Sequence, residues 1–231
     1  MKVAVMFSGG KDSTYAVDYA RQMGWEISYL LSVKPTRTDC YLFHFATVEH
    51  TPQQAEALGI RHHLLACDVA SPKQEAQIIR QFIEQNPVEA LVLGGVGLQQ
   101  TQLRSLQKAL MPSRVEVFAA HAGYDHEEIV EQMIKKGYDI RITQIATEGL
   151  GEDWLGRQIT SEAFQELKRR SQKYGFHIGF EGGYADTFVC DGPVFKKRII
   201  IEEADRVMED KYSGYLVIKK LRLVDKVQIL R

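Results

Sequence analysis

Through the first 140 or so residues, short apolar runs alternate with stretches of helical periodicity, and this alternation limits the fold more than any other property of the chain. Val3–Phe7 leads into a helix over Thr14–Met23 that Gly24 ends. Ile27–Val33 leads to a helix in which Thr51 is the expected N-cap, Pro52 the first helical residue and Gln54 the capping-box partner, closing at Gly59. Arg61–Cys67 follows, then a helix opened by Ser71-Pro72 that runs to about Gln85. After these come Ala90–Leu93, a helix near Gln99–Leu110, Val115–Phe118, and a helix that Asp125 caps and Gly137 ends. Strands separated by single helices form βαβ units, which make a parallel sheet with right-handed crossovers. The expected class is α/β: a Rossmann-like, doubly wound parallel sheet. Such sheets take ligands beyond the carboxyl ends of their strands, where the strand order reverses.

After Ile140–Ala146 the pattern changes. Residues 147–157 are Gly-rich and irregular, Ser161–Tyr174 is helical, and Ile199–Glu202, Ala204–Met208 and Tyr215–Leu223 read as an antiparallel meander. A boundary is expected near residue 145, with one domain over 1–145 and a smaller α+β domain over 146–231. With 29 Lys and Arg against 30 Asp and Glu, the net charge of −1 offers no field for a polyanion and argues against a nucleic-acid partner. There is no 18-residue apolar run, and the first strand starts at Lys2, so a cytoplasmic protein with no membrane association is expected. Cys40, Cys67 and Cys190 contain no C-x-x-C pair and read as reduced thiols rather than a disulfide or zinc framework.

The densest chemistry lies at the end of the first apolar run, in Ser8-Gly9-Gly10-Lys11-Asp12-Ser13. Two residues without Cβ atoms let the backbone take φ > 0 and approach a ligand closely. The helix that follows adds free amides and the positive end of its dipole, so phosphate is the expected occupant. Ser8, Gly9, Gly10, Asp12 and Ser13 are expected to form the cradle, with Lys11 supplying positive charge. The string is no Walker A loop, which needs four residues between its glycines and a Lys directly before Ser or Thr. Gly94-Gly95 closes the fourth strand, where it either borders the same crevice or makes a plain strand-to-helix turn.

The S-G-G-x-D-S pattern resembles the PP-loop of the ATP pyrophosphatases, which cleave ATP between the α and β phosphates. Two further stretches, Gly149-Leu150-Gly151-Glu152-Asp153-Trp154-Leu155-Gly156-Arg157 and Glu181-Gly182-Gly183-Tyr184-Ala185-Asp186-Thr187-Phe188-Val189-Cys190-Asp191-Gly192-Pro193, mix Gly, carboxylates and aromatics. With Tyr41-Leu42-Phe43-His44 they make the whole chain similar to the diphthine–ammonia ligase family. That resemblance implies an ATP-dependent, AMP-forming amide ligase using Mg²⁺. A carboxylate is adenylated and ammonia then displaces AMP. The implied partners are ATP, ammonium and an acceptor, which is either diphthine on elongation factor 2 or a small carboxylic acid such as a corrinoid-related one. A homodimer is compatible with the sequence.

On this reading Lys11, Asp12, Glu181 and Asp186 are the candidate catalytic residues. Lys11 meets the leaving pyrophosphate, Asp12 either orients the loop or helps hold Mg²⁺, and Glu181 and Asp186 receive ammonium or position the acceptor. Leu31 and Ser32, at the end of the second strand, are expected to meet adenine, and His44 is either a nucleotide contact or a packed histidine. Trp154 and Arg157 either close over the acceptor or anchor the domain. The chain departs from the family pattern at Tyr184-Ala185-Asp186, where carboxylates are lost or shortened, at Leu98–Arg104, and at Ala119-Ala120-His121 in place of P-L-W. An intact ATP half beside altered acceptor-facing stretches suits a paralogue with another acceptor. Two other classes stay open: a non-catalytic ATP or AMP sensor, and a tRNA-thiolating enzyme, which would want paired cysteines and a basic surface.

Overall fold

The computed structural model describes residues 1–36, 47–95 and 100–226. His44, Cys40 and the rest of Tyr41–His44, together with Leu98 and Gln99, lie outside the described residues. Backbone contacts divide the chain into two units, one of residues 1–55 with 60–123 and the other of 56–59 with 124–231.

The first unit contains β1 (Lys2–Met6), α1 (Lys11–Gln22), β2 (Glu26–Pro35), most of α2 (Thr51–Leu58), β3 (His62–Cys67), α3 (Pro72–Gln85), β4 (Ala90–Leu93), α4 (Gln100–Leu110) and β5 (Glu116–Ala119). Its five strands are all parallel, in the order β3-β2-β1-β4-β5. The chain winds outward through β2 and β3, then returns to the other side of β1 for β4, so the strand order reverses between β1 and β4. The expected doubly wound sheet is what the chain forms. On one face, Ala4, Met6, Leu31, Leu91 and Leu93 pack against Ile79 and Ile83 of α3 and Leu106 and Leu110 of α4. The alternate residues Val3, Val5, Leu30 and Val92 are equally buried and point to the opposite face.

Two helix starts differ from the sequence expectation. α1 begins at Lys11 rather than Thr14, because the Gly10 carbonyl already accepts the Thr14 N–H at 3.0 Å. Lys11, Asp12 and Ser13 therefore belong to the first helical turn. Thr51 is not an N-cap: a 3-10 turn over Val48–His50 runs straight into α2, and the buried Thr51 hydroxyl donates to the Val48 carbonyl at 2.7 Å.

The second unit contains α5 (His126–Lys135), β6 (Asp139–Ala146), α6 (Ser161–Tyr174), β7 (Ala185–Asp191), β8 (Lys197–Met208) and β9 (Ser213–Asp225). Asp125 caps α5 as expected, accepting from the Glu127 and Glu128 amides at 2.7 and 3.3 Å. The sheet is antiparallel, ordered β7-β6-β9-β8. Its core holds Ile140, Ile142, Trp154, Leu155, Phe164, Leu167 and Phe188. The two short strands expected over residues 199–208 are one strand, β8, whose register against β9 slips on both sides of Glu203. Among the described residues no helix is long and apolar enough to cross a membrane.

Candidate functional site

β1 delivers Ser8, Gly9 and Gly10 to the carboxyl edge of the parallel sheet, at the point where the strand order reverses. Only Gly9 needs left-handed backbone, at φ 84°; Gly10 precedes the helix with an ordinary extended φ of −78°. A Cβ at position 9 would also fall 2.0 Å from Gln54 Oε1. The fully buried Gln54 of α2 donates from Nε2 to the Gly9 carbonyl at 2.8 Å, so the glutamine expected to close a capping box instead clamps the loop. Ser8 and Ser13 hydroxyls meet at 3.2 Å, and the Ser13 hydroxyl lies 3.1 Å from the Gly10 carbonyl to which it donates.

Lys11 is buried and its ammonium donates to Asp12 Oδ2 at 2.7 Å. Asp12 Oδ1 lies 3.7 Å from Nδ1 of His121, a buried residue just beyond β5 whose ring meets Tyr15 edge-on at 4.8 Å. The sequence marks this histidine only as a departure from the family pattern in Ala119-Ala120-His121 and does not reveal that it faces Asp12. Thr14 Oγ1 is fully buried on the same turn and has no hydrogen-bond partner among the described residues. Gly94 is where it is for steric reasons: a Cβ there would stand 2.6 Å from the Asp12 carbonyl carbon, so α1 starts directly against the end of β4. Gly95 follows and is buried.

Leu31 and Ser32 are tied into the sheet. The Phe7 N–H donates to the Leu31 carbonyl at 2.9 Å, and the Ser32 hydroxyl donates to the Phe7 carbonyl at 2.5 Å. His62 Nε2 stands 2.8 Å from the same hydroxyl. With the Ser32 proton committed to Phe7, the imidazole is the donor in this contact, which fixes the Nε2–H tautomer. Burial, with the positive charge of His63 beside it, pushes His62 down to about 4 and keeps it neutral. The chain from His62 through Ser32 to Phe7 braces the residue that enters the loop.

The Asp12 carboxylate suits a Mg²⁺ held partly by phosphate oxygens, since that ion is commonly bound through one or two carboxylates plus substrate phosphates.

In the second unit, Glu181 and Asp186 are placed differently from each other. Glu181 lies in the turn before β7, its carboxylate 3.3 Å from His126 Nδ1. Asp186 lies on β7, paired in register with Gln144 of β6. Tyr184 is half-buried, its ring 6.4 Å from that of Phe176. Trp154 is fully buried and anchors the unit: the Arg157 guanidinium stacks 4.0 Å from its ring centre and Arg170 stands at 5.3 Å. Glu166 joins the two arginines, at 2.7 Å from each. Asp191, another carboxylate of the Gly-rich motif, is structural. It accepts from the Gly192 amide at 2.8 Å, Arg198 at 2.9 Å and Lys226 at 2.5 Å.

Residues 1–110 match the diphthamide synthase N-terminal domain and residues 125–224 the diphthamide synthase C-terminal domain. The diphthine–ammonia ligases of Mus musculus and Homo sapiens are 25% and 26% identical to the chain, each over 98% of it and 94% of their own length. That of Danio rerio is 26% identical over 99% of both.

Proposed function

We propose that this chain, which belongs to the diphthine–ammonia ligase family, is an ATP-dependent ligase that adenylates a carboxylate, releases pyrophosphate and transfers ammonia to the acyl group. The observation that carries this reading is the cradle at the β1–β4 switch point. A single left-handed glycine turns the chain into α1, and a lysine and an aspartate occupy the helix's first turn. Phosphate would take the α1 amides and draw the Lys11 ammonium away from Asp12, leaving that carboxylate to Mg²⁺ or to orienting the loop. Ser8, Gly9, Gly10 and Ser13 supply the remaining polar contacts. The backbone at Leu31, with Gly94 and Gly95, borders the adenosine side, while the Ser32 hydroxyl is a brace for Phe7. Glu181 and Asp186 are the acidic groups for ammonium and acceptor.

The test is product identity. The chain is incubated with ATP, ammonium and either diphthine-bearing elongation factor 2 or a panel of small carboxylic acids. AMP and pyrophosphate are expected in equal amounts, and Lys11→Ala should abolish both. ADP as the product would overturn the proposal. Which acceptor responds decides between protein and small-molecule amidation, and Tyr184→Glu is expected to shift that choice while leaving ATP affinity within about tenfold.

A further inference from the structure

Part of the Gly-rich stretch that ends at Arg157 forms one wall of a cavity of about 620 Å³ whose lining residues all belong to the second unit. That volume is within the usual range of small-molecule sites, about 300–1,000 Å³. The other walls come from Arg141 of β6, Leu216 of β9 and residues 201 and 204–207 of β8. Four charged side chains line the cavity, and two of them are already neutralised. Arg141 donates from Nε and Nη2 to the two carboxylate oxygens of Asp139, each at 3.1 Å, and from Nη1 to the Gly156 carbonyl at 3.3 Å. Asp205 pairs with Lys219 at 2.5 Å.

Arg206 and Glu152 are left. Arg206 donates from Nε to the Leu155 carbonyl at 2.9 Å, which fixes its guanidinium against the turn, while its two Nη nitrogens have no partner among the described residues. Glu152 opens that same turn, its carbonyl accepting the Leu155 N–H at 3.1 Å, and its carboxylate has no partner among the described residues either. Opposite charges thus line one cavity from the two ends of a single turn, and no ion pair joins them. Most of the remaining lining is apolar: Ile201 and Val207, half-buried on β8, and Leu216, which is the register partner of Arg206 and shares its face. We propose that this cavity binds a small zwitterion with an aliphatic body, an α-amino acid of the leucine type. The ligand carboxylate takes the Nη pair of Arg206, whose planar fork matches a carboxylate through two parallel hydrogen bonds. The ligand ammonium takes Glu152, and the side chain lies against Ile201, Val207 and Leu216. A simple carboxylate would meet repulsion from Glu152, and a simple amine would leave Arg206 unpaired. A ligand carrying both charges satisfies each.

The experiment titrates the full chain, without nucleotide, by NMR chemical shift. Leucine is compared with isoamylamine, which lacks its carboxylate, and with isocaproate, which lacks its ammonium. Leucine is expected to bind at least about tenfold more tightly than either, the loss that follows when a hydrogen bond to a charged group is removed. Arg206→Gln should erase the preference over isoamylamine, and Glu152→Gln the preference over isocaproate. Because the Glu152 carboxylate holds nothing in the free protein, Glu152→Gln reports on the ligand rather than on folding, and it decides the matter if Arg206→Gln does not fold. Leucine binding no more tightly than its two analogues, a preference over isocaproate that survives Glu152→Gln, or shifts that miss residues 152–156 and 201–207 would overturn the proposal. The titration needs neither ATP nor an acceptor, so its failure leaves the ligase reading standing, and a failure to form AMP leaves this site standing.

Discussion

At position 9 a missing methyl group meets two demands, left-handed backbone and the close approach of Gln54. Gln54 sits three residues after Thr51, and that spacing reads as a capping box. The spacing is right and the partner is not. Thr51 already lies inside a continuous helix, so Gln54 reaches the Gly9 carbonyl instead. Spacing along one chain cannot reveal a contact 45 residues away, whereas a polar residue on the buried face of α2 could have raised the question. Gln54→Leu should leave the Gly9 carbonyl without this donor, a loss of about 1–3 kcal/mol for a buried group. ATP affinity is expected to fall about tenfold by titration calorimetry, the equivalent of about 1.4 kcal/mol. Unchanged affinity would show that the loop holds its shape without the clamp. Gly94→Ala tests the same cradle from beneath. The added Cβ meets helix backbone that cannot give way, so thermal stability and nucleotide binding should fall together, by about 1–3 kcal/mol in stability.

At the scale of elements, strands with strong apolar runs and helices with clear starts were legible in the sequence, as β1, β4, α3 and α6 show. β7 was not, because its sequence is a mixture of carboxylates, Thr and Cys that advertises chemistry rather than a strand. The three-residue error at the start of α1 has a different cause. A turn as tight as Gly9-Gly10 leaves no room for a loop, so the motif and the helix overlap. The β2–β3 edge also carries a pH dependence. His62 has a folded value of about 4, below the ordinary value of 6.5, because burial disfavours its charged form. Between those two values the unfolded chain takes up a proton that the native chain refuses, so stability should fall as pH drops from 6.5 to 4 and level off below. His62→Gln should flatten that part of a urea-midpoint-against-pH curve while keeping a donor near Ser32. An unaltered slope would assign the acid sensitivity to other groups.

For the molecule as a whole, the two contact units correspond closely to the two matched domains, 1–110 and 125–224. Each has its own sheet and its own buried core. Perturbations should therefore be read out locally by hydrogen exchange. A non-hydrolysable ATP analogue is expected to slow exchange at the amides of residues 9–14, and Trp154→Ala to accelerate it in β6 and α6, since losing a buried Trp costs about 3–5 kcal/mol. A Trp154→Ala protein with native exchange in those elements would show that the Arg157–Trp154–Arg170 stack is ornamental.

The register slip at Glu203 has one more consequence. β8 lies at the end of its sheet among the described strands, and a straight row of twelve unpaired backbone groups would be a template for another chain. The slip bends that row, and Glu202, Glu203, Asp205 and Arg206 line it with exposed charge. The β8–β9 hairpin thus combines two of the devices by which an edge strand avoids pairing with another copy, an interrupted ladder and a row of charge.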